Sequence, residues 1–261
     1  MNNISDLVIH YLQRYNCHVS EEYIAVLREA CEIHPPPHAQ AWYGNMYRQY
    51  ARKPEWFANS LIVNAVEEGN GSKQVWQFWQ RVGNQDFAKR IRDHSIDESR
   101  HSKMFATLVN ILFPMSLDEE LRTHLKSFSP EYSQEKHPST TLVSAEEVME
   151  ESLVMDELIQ INLLEIRALI LQLLLRPVLQ TYAKPEDVAK VTRMSDQFIF
   201  DETKHIEYSA YCMGEYMKWG DFDWMREKTL QRQLSVNEMF PVSVDNDDSI
   251  GTTILKIGSG E

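Results

Sequence analysis

The sequence predicts an all-α protein whose centre is a four-helix bundle with one long crossover connection. Apolar residues recur at helical spacing through several long stretches, which indicates long amphipathic helices. A loop-like stretch separates the second and third core helices, and this favours a crossover over four helices joined by tight turns. A third observation is a repeated pattern, Asp-Glu-x-(Arg or Lys)-His, which occurs once in the second and once in the fourth core helix.

Composition and charge limit the class of protein. The chain has 261 residues, 43% of them hydrophobic and 25% charged, which is ordinary for a soluble globular protein with a well-buried core. The formal charge of −13 argues against a nucleic-acid partner, because phosphate binding needs clustered Lys and Arg. The three cysteines are far apart and odd in number, so neither a disulfide framework nor a zinc site is expected. We therefore expect a reducing cytoplasm.

The chain shows no pattern of a secretion signal or a membrane span. Its N-terminus lacks a basic region followed by a long apolar core. The most apolar stretch, residues 158–175, contains five polar or charged side chains: Gln160, Asn162, Glu165, Arg167 and Gln172. A membrane span carries almost no such groups over its roughly 20 residues. The stretch is predicted to be a helix buried inside the protein.

Residues 1–53 are predicted to form accessory helices that pack on the bundle. Helical periodicity extends from about residue 4 to residue 32, with Ser20 as a candidate N-cap. The sequence His-Pro-Pro-Pro-His at residues 34–38 then disfavours helix, so we expect a stiff extended connection. Its two histidines leave a metal site open as the alternative.

The first core helix is expected over residues 54–82. Glu68 lies on the same helical face as the apolar residues of this helix, whereas Glu67 lies about 100° away. Glu68 is therefore the candidate metal ligand and Glu67 the reserve. The glycines that follow, Gly69 and Gly71, are expected either to deform the helix or to allow close approach of a neighbour.

The second core helix is expected over residues 86–112, because Pro114 stops it. Glu98 and His101 stand three residues apart, so both side chains lie on one helical face and can bind one metal ion. A short helix is predicted from residue 117 to about 128, followed by a loop.

The third core helix is predicted to begin at a capping box, Ser144 with Glu147, and to be kinked or broken near Pro177. Glu165 lies among apolar residues of this helix, where an unpaired carboxylate would be expensive to bury. It therefore needs a cation, either a metal ion or an Arg or Lys from another helix. Glu157 is the reserve ligand in a more polar turn.

The fourth core helix is predicted from residue 185 to about residue 219, with Glu202 and His205 on its buried side. Gly220 ends it, one more helix follows to residue 240, and the tail is expected to be flexible. The predicted domain organisation is therefore given by four ranges: 1–53 accessory helices, 54–220 bundle, 221–240 C-terminal helix, and 241–261 tail.

The candidate ligands follow one another along the sequence as a Glu, a Glu-x-x-His pair, a second Glu and a second Glu-x-x-His pair. With the ligands in this order, the chain resembles the ferritin-like di-iron carboxylate oxygenases and oxidases. The resemblance covers about residues 55 to 215 and implies a ferritin-like bundle that binds two iron ions, with dioxygen as co-substrate. The implied ligands are Glu68, Glu98, His101, Glu165, Glu202 and His205. One histidine per iron leaves positions open for dioxygen. No catalytic residue beyond these ligands is expected.

Neighbours of these ligands have expected roles as well. Asp97 and Asp201 would each accept a hydrogen bond from the outer N–H of a liganding histidine and so fix its orientation. Arg100 and Lys204 either join that hydrogen-bonding layer or are ordinary surface charges. His94, four residues before Glu98 and on its face, is either an extra ligand or a pocket or core histidine.

Three classes of function are compatible with this pattern. The first is an oxygenase or oxidase that hydroxylates, desaturates, N-oxygenates or cleaves a small organic substrate and receives electrons from a ferredoxin or a reductase. The second is an iron-handling or radical-storing protein, and the third a metal-free helical interaction module. A haem-oxygenase-like di-iron fold is the rival architecture. The substrate, a homodimer and the choice between iron and manganese are left open.

Overall fold

The computed structural model describes residues 4–117, 119–126 and 148–239, and within these ranges it contains helices and no strand. The all-α prediction is thereby confirmed for the part of the chain that is described. The α-helices are α1 Ile4–Arg14, α2 Glu21–Ile33, α3 Ala41–Tyr50, α4 Pro54–Trp79, α5 Gln85–Leu112, α6 Glu119–Lys126, α7 Glu151–Tyr182, α8 Val188–Trp219 and α9 Phe222–Met239.

Most helix ends agree with the sequence pattern, and their caps explain why. The Ser20 side chain accepts a hydrogen bond from the Tyr23 N–H at 3.1 Å, as predicted for the N-cap of α2. Asn84, which was not predicted as a cap, accepts from the backbone of both Asp86 and Phe87 at the start of α5. A Cβ on Gly220 would lie 2.9 Å from the Tyr216 carbonyl oxygen, so glycine is required where α8 ends.

The structure corrects three local expectations. Helix α7 begins at Glu151, and Ser144 and Glu147 of the predicted capping box lie outside the described residues. Helix α7 also continues through Pro177, so the predicted break is absent, and the predicted kink stays a prediction. The proline run is not fully extended, since Pro37–Ala39 forms a 3₁₀ turn with proline at its first position. The tail, 241–261, and the loop after α6 lie outside the described residues.

The described chain divides into two compact units. The α4/α5 unit contains the described parts of Gln49–Met149 together with Val178–Met194. The α7/α8 unit contains the described parts of Met1–Arg48, Glu150–Pro177 and Ser195–Val242. The domain boundaries derived from the sequence stay a prediction.

In the α4/α5 unit, α4 and α5 form an antiparallel helical hairpin. The Ser72 hydroxyl donates to the Ser95 carbonyl at 2.7 Å, and the Ser102 hydroxyl donates to the Ala65 carbonyl at 2.5 Å. The residue number rises along one helix as it falls along the other, which establishes the antiparallel direction. Small side chains at this interface bring the two backbones close together. Large apolar side chains are fully buried in the same unit: Phe57, Leu61, Ile91, Phe105 and Leu108.

In the α7/α8 unit, α7 and α8 form a second antiparallel hairpin. Asn162 on α7 donates to the Ser209 hydroxyl on α8 at 2.9 Å. Nearer the turn of the hairpin, the Arg176 guanidinium donates to Asp196 at 2.7 Å. Tyr23 of α2 donates to Asn162 Oδ1 at 3.1 Å, so α2 is joined to the hairpin through a buried hydrogen bond. Burial raises the pKa of Tyr23 well above its ordinary value, which keeps this donor protonated.

Helix α7 is the most apolar helix of the described ranges. By length and composition it could cross a membrane, with an 18-residue window of mean hydropathy 1.8. In the structure 56% of that window is buried. Asn162, Glu165 and Gln172 are buried polar residues of this helix. The helix therefore has the burial expected of a core helix, and the absence of a membrane span stays a prediction.

A bidentate ion pair joins helix α9 to α7, and its contribution to the free energy of unfolding can be tested. The Arg232 guanidinium donates to both carboxylate oxygens of Asp156, at 2.8 and 2.7 Å, and to Gln160. The hydrogen bond from Arg232 holds the pKa of Asp156 below its ordinary value of 3.8, although burial opposes this shift. Asp156→Asn should therefore lower the free energy of unfolding at pH 7 by about 1–2 kcal/mol.

The sign of the pH dependence follows from that lowered pKa. The stabilisation is fully present above the ordinary pKa of an aspartate and is lost as the pH falls through the lower pKa of the folded state. Urea unfolding of wild type and Asp156→Asn should therefore give free energies that converge below about pH 4. Asp93→Asn, which removes the exposed Lys89–Asp93 pair, is the control and should cost at most about 0.5 kcal/mol. Equal losses in both variants would contradict the assignment.

Candidate metal centre

The α4/α5 hairpin brings three predicted ligands together. Glu68 extends from α4, and Glu98 and His101 extend from one face of α5. The His101 Nδ1 atom lies 3.6 Å from Glu68 Oε2 and 3.6 Å from Glu98 Oε1. His101 is fully buried, and the other two side chains are largely buried. We call Glu68, Glu98 and His101 the α4/α5 ligand set.

Small residues make room for these carboxylates. A Cβ on Gly71 would lie 3.5 Å from Glu98 Oε2, an ordinary van der Waals contact, so Gly71 allows the carboxylate to lie against the α4 backbone. Helix α4 is continuous across Glu67–Gly71. Of the two roles expected for the glycines, close approach is therefore the one observed. A larger residue in place of Gly71 would occupy the space that the Glu98 carboxylate fills.

The α7/α8 hairpin brings together the other three predicted ligands. The His205 Nδ1 atom on α8 lies 3.3 Å from Glu165 Oε2 on α7 and 3.5 Å from Glu202 Oε2 on its own helix. Each of the three residues is at most 8% exposed. We call Glu165, Glu202 and His205 the α7/α8 ligand set. It repeats the composition of the α4/α5 ligand set, with one carboxylate from the first helix and a Glu-x-x-His pair from the second.

Hydrogen bonds hold the helical turn that carries His205. The Ser209 hydroxyl donates to the His205 carbonyl at 2.7 Å, and Asn162 donates to both Ser209 and the Ile206 carbonyl. Together with the bond from Tyr23 to Asn162, these contacts form a buried network that we call the Asn162 network. Because its members are buried and hydrogen-bonded, the network limits the movement of His205 relative to Glu165.

The distances within each set agree with ligands of one metal ion. Two donor atoms about 2.1 Å from a shared ion are separated by roughly 3.0 to 3.4 Å for angles between 90° and the tetrahedral angle. The nitrogen–oxygen distances of 3.3 to 3.6 Å lie at and just above this range. The 3.6 Å distances in the α4/α5 ligand set are too long for good hydrogen bonds, whereas His205 Nδ1 and Glu165 Oε2, at 3.3 Å, lie within hydrogen-bonding distance. Imidazole together with carboxylates suits iron, manganese or zinc. Buried His and Glu side chains of this protein could hold a metal ion.

The Glu98 carboxylate is held in its ionised form, as a metal ligand must be. Burial alone would raise its pKa, but the imidazoles of His101 and His94 outweigh burial and hold the pKa of Glu98 well below its ordinary range. His94 is 2% exposed, and its Nε2 lies 3.1 Å from Glu98 Oε1, within hydrogen-bonding distance. His94 therefore hydrogen-bonds a predicted ligand, and its role as an extra ligand stays a prediction.

The other residues singled out by the sequence lie around these sets. Both reserve ligands, Glu67 and Glu157, are exposed. Asp97 is half-buried and pairs with Arg100 at 2.8 Å. The roles of Asp97 and Asp201 as acceptors for liganding histidines stay predictions.

The surroundings of Asp201 and Lys204 differ. Asp201 is buried and accepts a hydrogen bond from Gln197 at 2.8 Å. Lys204 donates to Glu207 at 2.8 Å. The buried carboxylate at position 201 is thus anchored along its own helix, whereas the lysine belongs to an ion pair one turn further on.

Sequence reasoning missed the residues that position the ligands. Ser95, Ser99 and Ser102 are buried on α5, and their spacing of four and three residues on one face was the available signal. A row of small polar side chains on an otherwise buried face indicates close helix packing. Asn162 and Ser209 carried no comparable local signal, because their partners lie on other helices.

Comparison with known protein families, with curated proteins and with solved structures gives no match for this chain. The site therefore rests on its own residues and their geometry.

Proposed function

We propose that this protein is a non-haem di-iron oxygenase or oxidase that uses dioxygen to oxidise a small organic substrate. The observation that supports the proposal is the repetition of one ligand set, two glutamates and one histidine, on an antiparallel hairpin in each of the two units. A single set of this kind can arise by chance on a helical surface. Two buried sets of the same composition support a shared role, and imidazole combined with carboxylates is a ligand combination that suits iron.

In this proposal each ligand set binds one iron. Glu68, Glu98 and His101 hold the first, and Glu165, Glu202 and His205 hold the second. The proposal includes the ferritin-like four-helix bundle of the family that the sequence resembles. Two bound ferrous ions would supply electrons for the reduction of dioxygen.

The residues of the chain provide the conditions for that chemistry. The carboxylates of the two sets neutralise much of the charge of the metal ions, and the low pKa of Glu98 keeps its carboxylate ionised. Burial of His101 and His205 keeps bulk water from the nitrogen atoms that would bind metal. Three protein ligands per ion leave coordination positions open to small molecules.

The partners follow from the reaction class. An oxygenase cycle consumes electrons, so we propose a ferredoxin or a reductase as the donor and a small organic molecule as the substrate. A cytoplasmic location is part of the same proposal. Iron content distinguishes this function from a metal-free interaction module, and oxidation of an organic substrate distinguishes it from iron storage.

The test is anaerobic loading with ferrous iron, followed by metal analysis and Mössbauer spectroscopy before and after exposure to oxygen. We expect about two irons per chain, by analogy with di-iron carboxylate bundles. After oxygen exposure we expect a ferric product with coupled spins, because coupling requires that the two ions share ligands. Parallel loading with manganese shows which metal the sites prefer.

Two results would contradict the proposal. Folded protein that binds no iron would remove the metal centre altogether. Two ferric ions without spin coupling would show two separate mononuclear sites, and the di-iron reaction would have to be abandoned while metal binding by each set was retained.

A further inference from the structure

The α7/α8 unit contains a half-open cavity that the ligand sets do not use. Its volume is about 690 Å³, which is in the range of small-molecule sites. Helices α1, α2, α3 and α7 and the proline-rich connection before α3 all contribute to its lining. Apolar side chains form one wall: Ile4, Leu7, Ile170, Leu173 and Leu174. We call it the His38 cavity.

His38 is one of the polar residues that line this cavity. Its Nε2 atom is buried and has no hydrogen-bond partner among the described residues. Burial, with a smaller contribution from the positive charge of Arg167, lowers the pKa of His38 to about 3. The ring is therefore neutral at physiological pH and can donate or accept one hydrogen bond at Nε2, depending on its tautomer. A buried polar atom left without a partner is unfavourable, so a ligand that hydrogen-bonds Nε2 would gain affinity.

Arg48 supplies a positive charge at the same cavity. Its Nη2 donates to Asn45 at 2.8 Å, and no carboxylate lies within 4 Å of its guanidinium in the part of the chain that is described. Both terminal nitrogens lie 3.6 Å from the place where a Cβ on Gly44 would stand, and Leu174 lies 3.5 Å from the same point. The guanidinium is thus close to the apolar wall. Glu32 also lines the cavity, and both Glu32 and Arg48 are exposed to solvent, so the lining carries one charge of each sign.

A metal ion does not fit this cavity. His38 belongs to no group of three ligand atoms within 4.8 Å in the described ranges. The charge of Arg167, which lowers the pKa of His38, also disfavours a cation beside that ring.

We propose that the His38 cavity binds a small amphipathic monoanion, with its apolar body against Ile170, Leu173 and Leu174, its anionic group at Arg48 and a polar group hydrogen-bonded to His38. The combination of an apolar wall with a few convergent polar groups is typical of sites for small organic ligands. This inference does not depend on iron, because none of the lining residues belongs to either ligand set.

The test uses 8-anilinonaphthalene-1-sulfonate, which joins an aromatic body to one sulfonate, in a fluorescence titration of the full chain with and without iron. We expect saturable binding at about one site per chain, as for a single preformed cavity. Octanoate should displace the probe, and uncharged octanamide should displace it less well, because only octanoate can pair with Arg48.

Variants of the lining residues distinguish probe binding in this cavity from probe binding to other apolar surfaces of the protein. Arg48→Gln should weaken probe binding about tenfold, since it removes a charge-assisted hydrogen bond. Leu173→Trp should prevent binding by filling the cavity. Arg52→Gln, which removes an exposed arginine that does not line the cavity, is the matched control and should bind as wild type does.

His38→Phe distinguishes a ligand-binding role of His38 from a structural role, because the two roles predict opposite changes in melting temperature. Replacing an unpartnered buried nitrogen by carbon should raise the melting temperature while it weakens ligand binding. The proposal is overturned if Arg48→Gln and Leu173→Trp bind the probe as wild type does, or if octanamide competes as well as octanoate. A lower melting temperature for His38→Phe, with binding unchanged, would assign the ring to structure and remove it from the site.

Discussion

His101→Ala should leave the protein with about one iron per chain instead of about two, because it removes the only imidazole of the α4/α5 ligand set. Loss of a residue that merely orients a ligand costs about 10–100-fold in metal affinity, so loss of the ligand itself should cost at least about 100-fold. His205→Ala should have the same effect on the α7/α8 ligand set. Both variants should also lose the coupled-spin signal, since coupling requires two ions. Iron analysis after anaerobic loading and gel filtration provides the measurement.

The matched control is His10→Ala on α1, an exposed histidine outside both sets. It should bind iron as wild type does, and helix content measured by circular dichroism should be the same for all the variants. If His101→Ala and His205→Ala both kept two irons, imidazole would not be a ligand in either set. If both lost all iron, the two sets would bind metal only together.

Glu165→Ala should reduce iron binding while leaving the metal-free protein nearly as stable as wild type, or more stable. Glu165 is buried beside His205 and shares its set with Glu202. Removing one of several clustered carboxylates relieves electrostatic repulsion in the absence of metal. If Glu165 instead neutralises a buried arginine or lysine, the substitution leaves that charge uncompensated and should cost about 3–5 kcal/mol.

Urea unfolding of the metal-free proteins, together with an iron titration, decides between these two roles. Glu157→Ala is the control on the same helix, because Glu157 is exposed and should affect neither measurement. A large loss of stability in Glu165→Ala with normal iron uptake would reassign Glu165 to a buried ion pair. Iron loss in Glu157→Ala would mean that the reserve residue is the ligand.

Local periodicity was sufficient to predict the long helices and the faces of the candidate ligands, whereas α3 was not predicted. Residues three or four apart on a helix share a face whatever the helix packs against, so Glu98 and His101 could be paired from the sequence alone. The same rule separated Glu68 from Glu67, and the structure places Glu68 next to His101 and Glu67 in solvent. The Ser20 cap was also a local signal and was confirmed.

Features that depend on distant parts of the chain could not be predicted in this way. The Asn162 network joins residues of α2, α7 and α8, and nothing in the sequence around Asn162 indicates those partners. The His38 cavity likewise needs four helices to be in place before it exists. The start of α7 was misplaced because a capping pattern occurs earlier in the sequence, at Ser144 and Glu147, whereas the helix begins at Glu151.

Each ligand set lies on one helical hairpin, and this has a consequence for the order of folding. The ligands of the α4/α5 set come from 34 consecutive residues, 68 to 101, joined by a short turn, so only a small loop must close to bring them together. Helical hairpins with such local contacts form quickly. During synthesis this hairpin is complete at residue 112, long before the ribosome has made α8. The hairpin that carries the α4/α5 ligand set can therefore fold while the α7/α8 hairpin is still being translated.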